Sequence, residues 1–328
     1  MRKIAFEEHV GLGEFSDVSR EQAQRLAFPN LSDPTRQANF LGPLMDAEPE
    51  VHRIPTMDKC GLDVQVLSAG GGVVQNDLDT ARAIRMAKYA NEKVYKMTQK
   101  YPDRFKAVAV LPMQDPAASV DELQRCVEEF GFIGVMQHGP TNYHYYDEPQ
   151  FEPVWAALEK YRIPLYIHAA SPEADQIRMY EGYSELLGNT WNWNVFAATH
   201  ALRIIFSGLF DRHPDAMLML GHMAEGLPYF LGRLDEGYDC RNTKALGRMA
   251  HEPSYYIKRN ILMTTSGGWS PEAMHCAIEA IGAEHIFFAN DYPHFPLETS
   301  MAQIDACNLT QEQLDLIYHG NAERLWNI

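Results

Sequence analysis

Two adjacent acids and a histidine close the first apolar run of the chain: residues 4–9 read Ile-Ala-Phe-Glu-Glu-His. Three later apolar runs also end in groups that bind metals or move protons: PLYIH at His168, MLMLGH at His222 and IFFAND at Asp291. Imidazole nitrogens and carboxylate oxygens around one point suit Zn²⁺ or Mn²⁺. A cation would also offset the cost of burying two carboxylates. Each group alone has a plainer reading. Charges can mark where a strand meets water, HMAEG can open a helix with an acid at its positive end, and Asp291 before Tyr-Pro can open a turn. Ligand-type residues at four strand ends favour the metal reading.

Something must bring those four ends together. Eight strand-sized apolar runs recur, at 3–6, 64–72, 105–113, 132–139, 164–170, 217–223, 261–268 and 286–293. Helical patterns separate them. One begins near Asp79 and stops before Pro102; another begins at Ser119 and stops at Gly131. Eight such units predict an α/β fold, a (β/α)₈ TIM barrel over residues 1–328 as one domain. Loop insertions are expected at its C-terminal face, at 11–53, 140–148, 169–193 and 236–258. An open doubly wound sheet is the alternative, but neither GxGxxG nor a Walker loop occurs. In a closed barrel the C-terminal strand ends share one mouth.

Alternation orients the first strand. Ile4, Phe6 and Glu8 share one face, and Ala5, Glu7 and His9 the other. The expectation is that the large apolar pair faces the helices and small Ala5 faces the barrel centre. Glu7 and His9 then point inward and Glu8 is left out.

The formal net charge of −16 argues against a nucleic-acid partner or an anionic membrane. It does not argue against an anionic substrate, because a local cation can reverse the field. The five cysteines are scattered without a CxxC pair, as in reduced proteins. No signal-peptide pattern or membrane-length apolar run is present. The expected location is cytoplasmic.

Longer segments carry a resemblance. KIAFEEH, YPDRFKAVAVLPMQDP, HALRIIFSGLFDRHP, LGHMAEGLPYFLGRLD and NDYP resemble the amidohydrolase superfamily over essentially the whole chain. Within it the likeness is to the γ-resorcylate, 2,3-dihydroxybenzoate and 5-carboxyvanillate decarboxylases. The resemblance implies one divalent ion per subunit, Zn²⁺ or Mn²⁺, bound by Glu7, His9, His168 and Asp291. It places His222 and Glu225 beside the ion, Arg233 on a substrate carboxylate and Trp191 on an aromatic loop position. It implies non-oxidative decarboxylation of an ortho-hydroxy aromatic carboxylic acid, with Asp291 delivering the proton, in a homodimer or homotetramer. The chain departs from the family pattern around the pocket mouth. His138 stands where close relatives have Asn, SAGGGVV follows strand two, Ala169-Ala170 follow His168, and the last strand reads ANDYPHFP, which includes Phe295. The alternative is a metal-dependent hydrolase of an ester, lactone or amide on the same scaffold.

Overall fold

The computed structural model describes residues 1–23, 47–241 and 243–328. Of the expected excursion at 11–53, the part at 24–46 lies outside the described residues. Eight parallel strands occur where the apolar runs stand: β1 (Ile4–Val10), β2 (Val64–Ala69), β3 (Phe105–Ala107), β4 (Val135–His138), β5 (Leu165–His168), β6 (Leu218–Leu220), β7 (Ile261–Thr264) and β8 (Ile286–Phe287). They pair in sequence order, β1-β2-β3 and β4-β5-β6-β7-β8. Parallel bridges Ala109–Val135 and Phe6–Ala289 join the two sets. The seam is reinforced where Phe6 N donates to Phe288 O (2.9 Å) and His9 N to Tyr292 O (2.8 Å). The result is a closed barrel.

Capping explains the helix boundaries. Asp79 accepts from Arg82 N (3.0 Å) at the start of helix Thr80–Lys100. The next helix starts before the expected Ser119, at Pro116, because Asp115 accepts from both Ala117 N and Ala118 N. Proline in the first turn gives up no hydrogen bond there. The segment 236–258, expected as a loop, is mostly helical, in Leu231–Cys240, Thr243–Leu246 and Pro253–Asn260. Among the described residues no helix is long and apolar enough to cross a membrane.

Two cores follow from the closure. The inner one takes residues from every strand or the position just past it: Ile4, Phe6, Val64, Val66, Val108, Met136, Tyr166, Met219, Leu262 and Phe287. Trp326 closes its floor, with its ring 5.3 Å from Phe6 and 5.4 Å from Phe287. Burial of each such side chain contributes about 1.5–3 kcal/mol. The outer core packs Ala5, Leu67, Leu165, Leu218 and Met263 against the helices.

The expected facing of β1 is therefore reversed: Ile4 and Phe6 fill the barrel, and Ala5 packs outward. A bulge then changes the phase. Ala5 pairs with Gln65 and Glu8 with Leu67, so Phe6 and Glu7 both stand opposite Val66. Glu7 takes a left-handed conformation, φ +64°. The extra residue keeps Glu7 on the inner face after Phe6, sends Glu8 outward and returns His9 inward. The predicted pair does point inward, but by a mechanism that strict alternation does not contain.

Candidate metal centre

The mouth of the barrel gathers Glu7 and His9 from β1, His168 from β5 and Asp291 from the loop after β8. One ligand atom from each of the four lies within 4.8 Å of the others, and all four residues are buried or nearly so. His9 Nε2 is 3.0 Å from Asp291 Oδ1, and His168 Nε2 is 3.1 Å from Glu7 Oε1. Glu7 Oε1 and His168 Nε2 make no hydrogen bond although both are buried. Both are lone-pair atoms, a carboxylate oxygen and an imidazole nitrogen whose ring proton sits on Nδ1, and their convergence with a second carboxylate and imidazole fits a divalent cation.

The other lone pairs are occupied, which orients the side chains. Tyr166 OH and Thr264 Oγ1 both donate to Glu7 Oε2, the latter at 2.9 Å. Ser68 Oγ is 3.2 Å from His9 Nδ1, and His168 Nδ1 donates to Ala169 O at 2.7 Å. These contacts leave Nε2 of both imidazoles facing the cluster. Gly221 is required here, since a Cβ would lie 2.9 Å from Tyr166 OH and 3.1 Å from Glu7 Oε1.

His222 stands beside the four. Its Nδ1 is 2.9 Å from Glu225 Oε1, and its Nε2 is 3.4 Å from Glu7 Oε1 and 3.9 Å from Asp291 Oδ2. The pair is placed by a left-handed turn, with φ of +49°, +61°, +51° and +53° from His222 to Glu225. Such residues are disfavoured by about 1–2 kcal/mol each. With Glu7 and Asp291 (φ +65°), six of the eleven left-handed non-glycine positions among the described residues cluster at the site.

Charge is shared tightly. Burial pushes the Glu7 carboxyl up, but His222 and His168 pull it further down, to about 2. Burial also opposes ionisation of Asp291, yet His222, His9 and His294 hold it well below the usual carboxylate range. Burial disfavours the imidazolium of His222, whereas Glu7, Glu225 and Asp291 raise its pKa well above the ordinary value. His138 is pushed down, first by burial and then by the imidazoles of His168 and His9.

Residues 43–328 match the family model described as Amidohydrolase. The chain belongs to the amidohydrolase family. It is 37% identical over 286 residues to a γ-resorcylate decarboxylase of Rhizobium sp., covering 84% of this chain and 86% of that protein. Among solved structures, a dihydroxybenzoic acid decarboxylase of Polaromonas sp. with bound manganese and 2-nitroresorcinol superposes with a TM-score of 0.88. It shares 32% identity and covers 99% of this chain and 97% of that one. A 5-carboxyvanillate decarboxylase of Novosphingobium aromaticivorans, complexed with manganese and 4-hydroxy-3-methoxy-5-nitrobenzoic acid, gives a TM-score of 0.93. It shares 29% identity and covers 100% of this chain and 96% of that one.

Not every expected site residue reaches this amidohydrolase centre. The His138 ring packs 4.3 Å from His168 and 5.6 Å from His9. Phe295 lies against Gly268 of the β7 loop. Arg233 does not join the cluster: its side chain is 80% exposed and pairs with Glu236 one turn on (3.3 Å). Trp191 is half exposed at the start of helix Asn192–Phe206. Trp193, two residues on, is the one tied down, donating to Ser171 Oγ (2.9 Å). Sequence reasoning did not single out Ser68, Tyr166, Thr264 or His294, whose ring is 5.5 Å from that of His9. Tyr166 carries a usable signal, since it shares a face with His168 two residues on.

Proposed function

We propose that the chain is a metal-dependent carboxy-lyase acting on an ortho-hydroxy aromatic carboxylic acid of the dihydroxybenzoate type. The buried quartet Glu7, His9, His168 and Asp291 supports this reading. These residues would hold one divalent ion, Mn²⁺ or Zn²⁺; manganese is the ion in the two solved relatives. When bound, the ion supplies positive charge for the substrate carboxylate and the adjacent phenolic oxygen.

The chain's own groups would move the proton. Asp291 rests as a carboxylate, held so by His222 and His9 against the effect of burial. It takes the phenolic proton of the bound acid and delivers it to the ring carbon that carries the carboxylate. Phenolate electrons form the new C–H bond. The C–C bond to the carboxylate then breaks, its electron pair restores the ring, and carbon dioxide leaves. A hydroxybenzoate anion thus becomes a phenolate plus carbon dioxide, with charge and atoms conserved. His222, with Nδ1 on Glu225, turns Nε2 toward the substrate, and His138 and Phe295 flank the ring. The same reading makes the protein a cytoplasmic homodimer or homotetramer. Exposed Met179, Tyr183, Trp191 and Tyr229 offer apolar surface to a second copy.

A screen of hydroxybenzoates with Mn²⁺- or Zn²⁺-loaded protein tests the reaction. The expected result is ultraviolet loss of the carboxylated ring with release of carbon dioxide. Release of acid from esters or lactones, with every hydroxybenzoate left intact, would favour hydrolysis instead.

A further inference from the structure

Glu8, the acid that the β1 bulge turns away from the mouth, is not solvated. It is fully buried, and so are Gln65 and Arg53. Glu8 Oε2 accepts from Gln65 Nε2 (2.8 Å), and Glu8 Oε1 accepts from the backbone N–H of Asn290 (3.0 Å). Arg53, the first residue of helix Arg53–Cys60, donates one arm to Gln65 Oε1 (3.0 Å) and the other to the carbonyl of His9 (2.5 Å). Its guanidinium lies 4.2 Å from the centroid of the Tyr292 ring.

The attachment points of this network lie beside the proposed ligands. Glu8 sits between Glu7 and His9, and Arg53 holds the His9 carbonyl. Asn290 and Tyr292 flank Asp291. Three of the four ligands are therefore gripped through their backbones by a single buried unit on the outer face of β1, β2 and β8. Their geometry needs such a grip, because Glu7 and Asp291 both hold left-handed backbone, φ +64° and +65°. The grip also has a fixed sense. Arg53 can only donate, so the Gln65 amide oxygen must face it and the amide NH₂ must face Glu8. No apolar or reversed arrangement satisfies the set.

We propose that Arg53, Gln65 and Glu8 form a positioning clamp that sets the β1 bulge and the end of β8, and that its output is metal affinity. This inference rests on the proposed ligand set. Arg53 and Glu8 touch neither ion nor substrate; they act through Glu7, His9 and Asp291. Loss of an orienting partner behind a metal ligand typically weakens metal binding roughly 10–100-fold.

The test is calorimetric titration of metal-depleted full-length protein with Mn²⁺. Wild type binds one ion, and Glu7→Gln does not. Arg53→Met, which keeps the apolar stem, and Glu8→Gln, which keeps the shape, are each expected to raise Kd roughly 10–100-fold. Arg53→Lys restores one donor and falls between. Asn91→Ala serves as a stability control, because it cuts a buried network with Val110 and Glu122 that has no part in the clamp. It is expected to lower Tm while leaving Kd unchanged. If Arg53→Met does not fold, the near-isosteric Glu8→Gln carries the test alone. A folded Glu8→Gln or Arg53→Met protein with the wild-type Kd overturns the clamp. Wild-type protein that binds no Mn²⁺ or Zn²⁺ overturns the metal reading itself.

Discussion

Two carboxylates and three imidazoles share one buried volume at the mouth of this barrel, so each sets the protonation of the next. Asp291, like Glu7, both lines the cluster and holds left-handed backbone. His222 and His9 hold it ionised against its burial, so it is unprotonated at rest, as the proposed proton relay requires. Asp291→Asn removes that capacity while keeping size and shape. The expected loss in kcat is roughly 10²–10⁴-fold, the usual contribution of a positioned acid or base, measured as carbon dioxide release under saturating Mn²⁺. Full activity in that variant on every hydroxybenzoate would refute the proton route. At this scale the residue types were legible in the sequence, because imidazoles and carboxylates at strand ends have few other uses in combination. Arg233 stands apart from the cluster, with its side chain turned to solvent and to Glu236.

Elements decide what side chains can reach. The bulge in β1 aims Glu7, and the left-handed turn at 222–226 aims His222 and Glu225. Helix Asn192–Phe206 anchors the loop after β4 by a different device. His200 Nε2 accepts the backbone N–H of Tyr146 (2.9 Å), with the imidazole against the Tyr145 and Tyr146 rings. Burial, with a smaller push from Arg203, lowers the His200 pKa from 6.5 to about 3. The unfolded chain therefore binds a proton below pH 6.5 that the folded chain refuses. The contribution of His200 is complete above that pH and falls by about 1.4 kcal/mol per unit on acidification toward the folded value. His200→Gln keeps an acceptor for Tyr146 N and does not titrate. The variant is expected to show a shallower loss of stability between pH 6.5 and 5 in urea melts; an unchanged slope would remove His200 from the account. The helix patterns were readable from periodicity and caps, apart from the start at Pro116, where Asp115 outcompetes Ser119. The left-handed turn was not readable, because HMAEG is an acceptable helix start by composition and only the surroundings of His222 impose the other hand.

On the scale of the whole molecule, barrel closure brings residues 7, 9, 168 and 291 to one point. A bound ion then links β1, β5 and the segment after β8, so its binding energy becomes folding energy. Chelation of the purified protein is expected to lower Tm, and Mn²⁺ to restore it in a concentration-dependent way. The stabilisation is about 2.7 kcal/mol when free Mn²⁺ is a hundredfold above Kd. A Tm indifferent to chelator and to Mn²⁺ would count against an ion at this centre. By itself the sequence determined the order and number of the strands, the barrel class and the chemical types at the strand ends, because those depend on local periodicity and composition. Only the tertiary structure decided which face each strand presents. Local alternation turned Ala5 inward; the closed sheet needs Ile4 and Phe6 there to fill its interior, and the bulge opposite Val66 then returns Glu7 and His9 to the mouth. A bulge is a relation between two strands distant in sequence, so no single segment records it. The same holds for Glu8, whose buried partners Arg53, Gln65 and Asn290 come from three other parts of the chain.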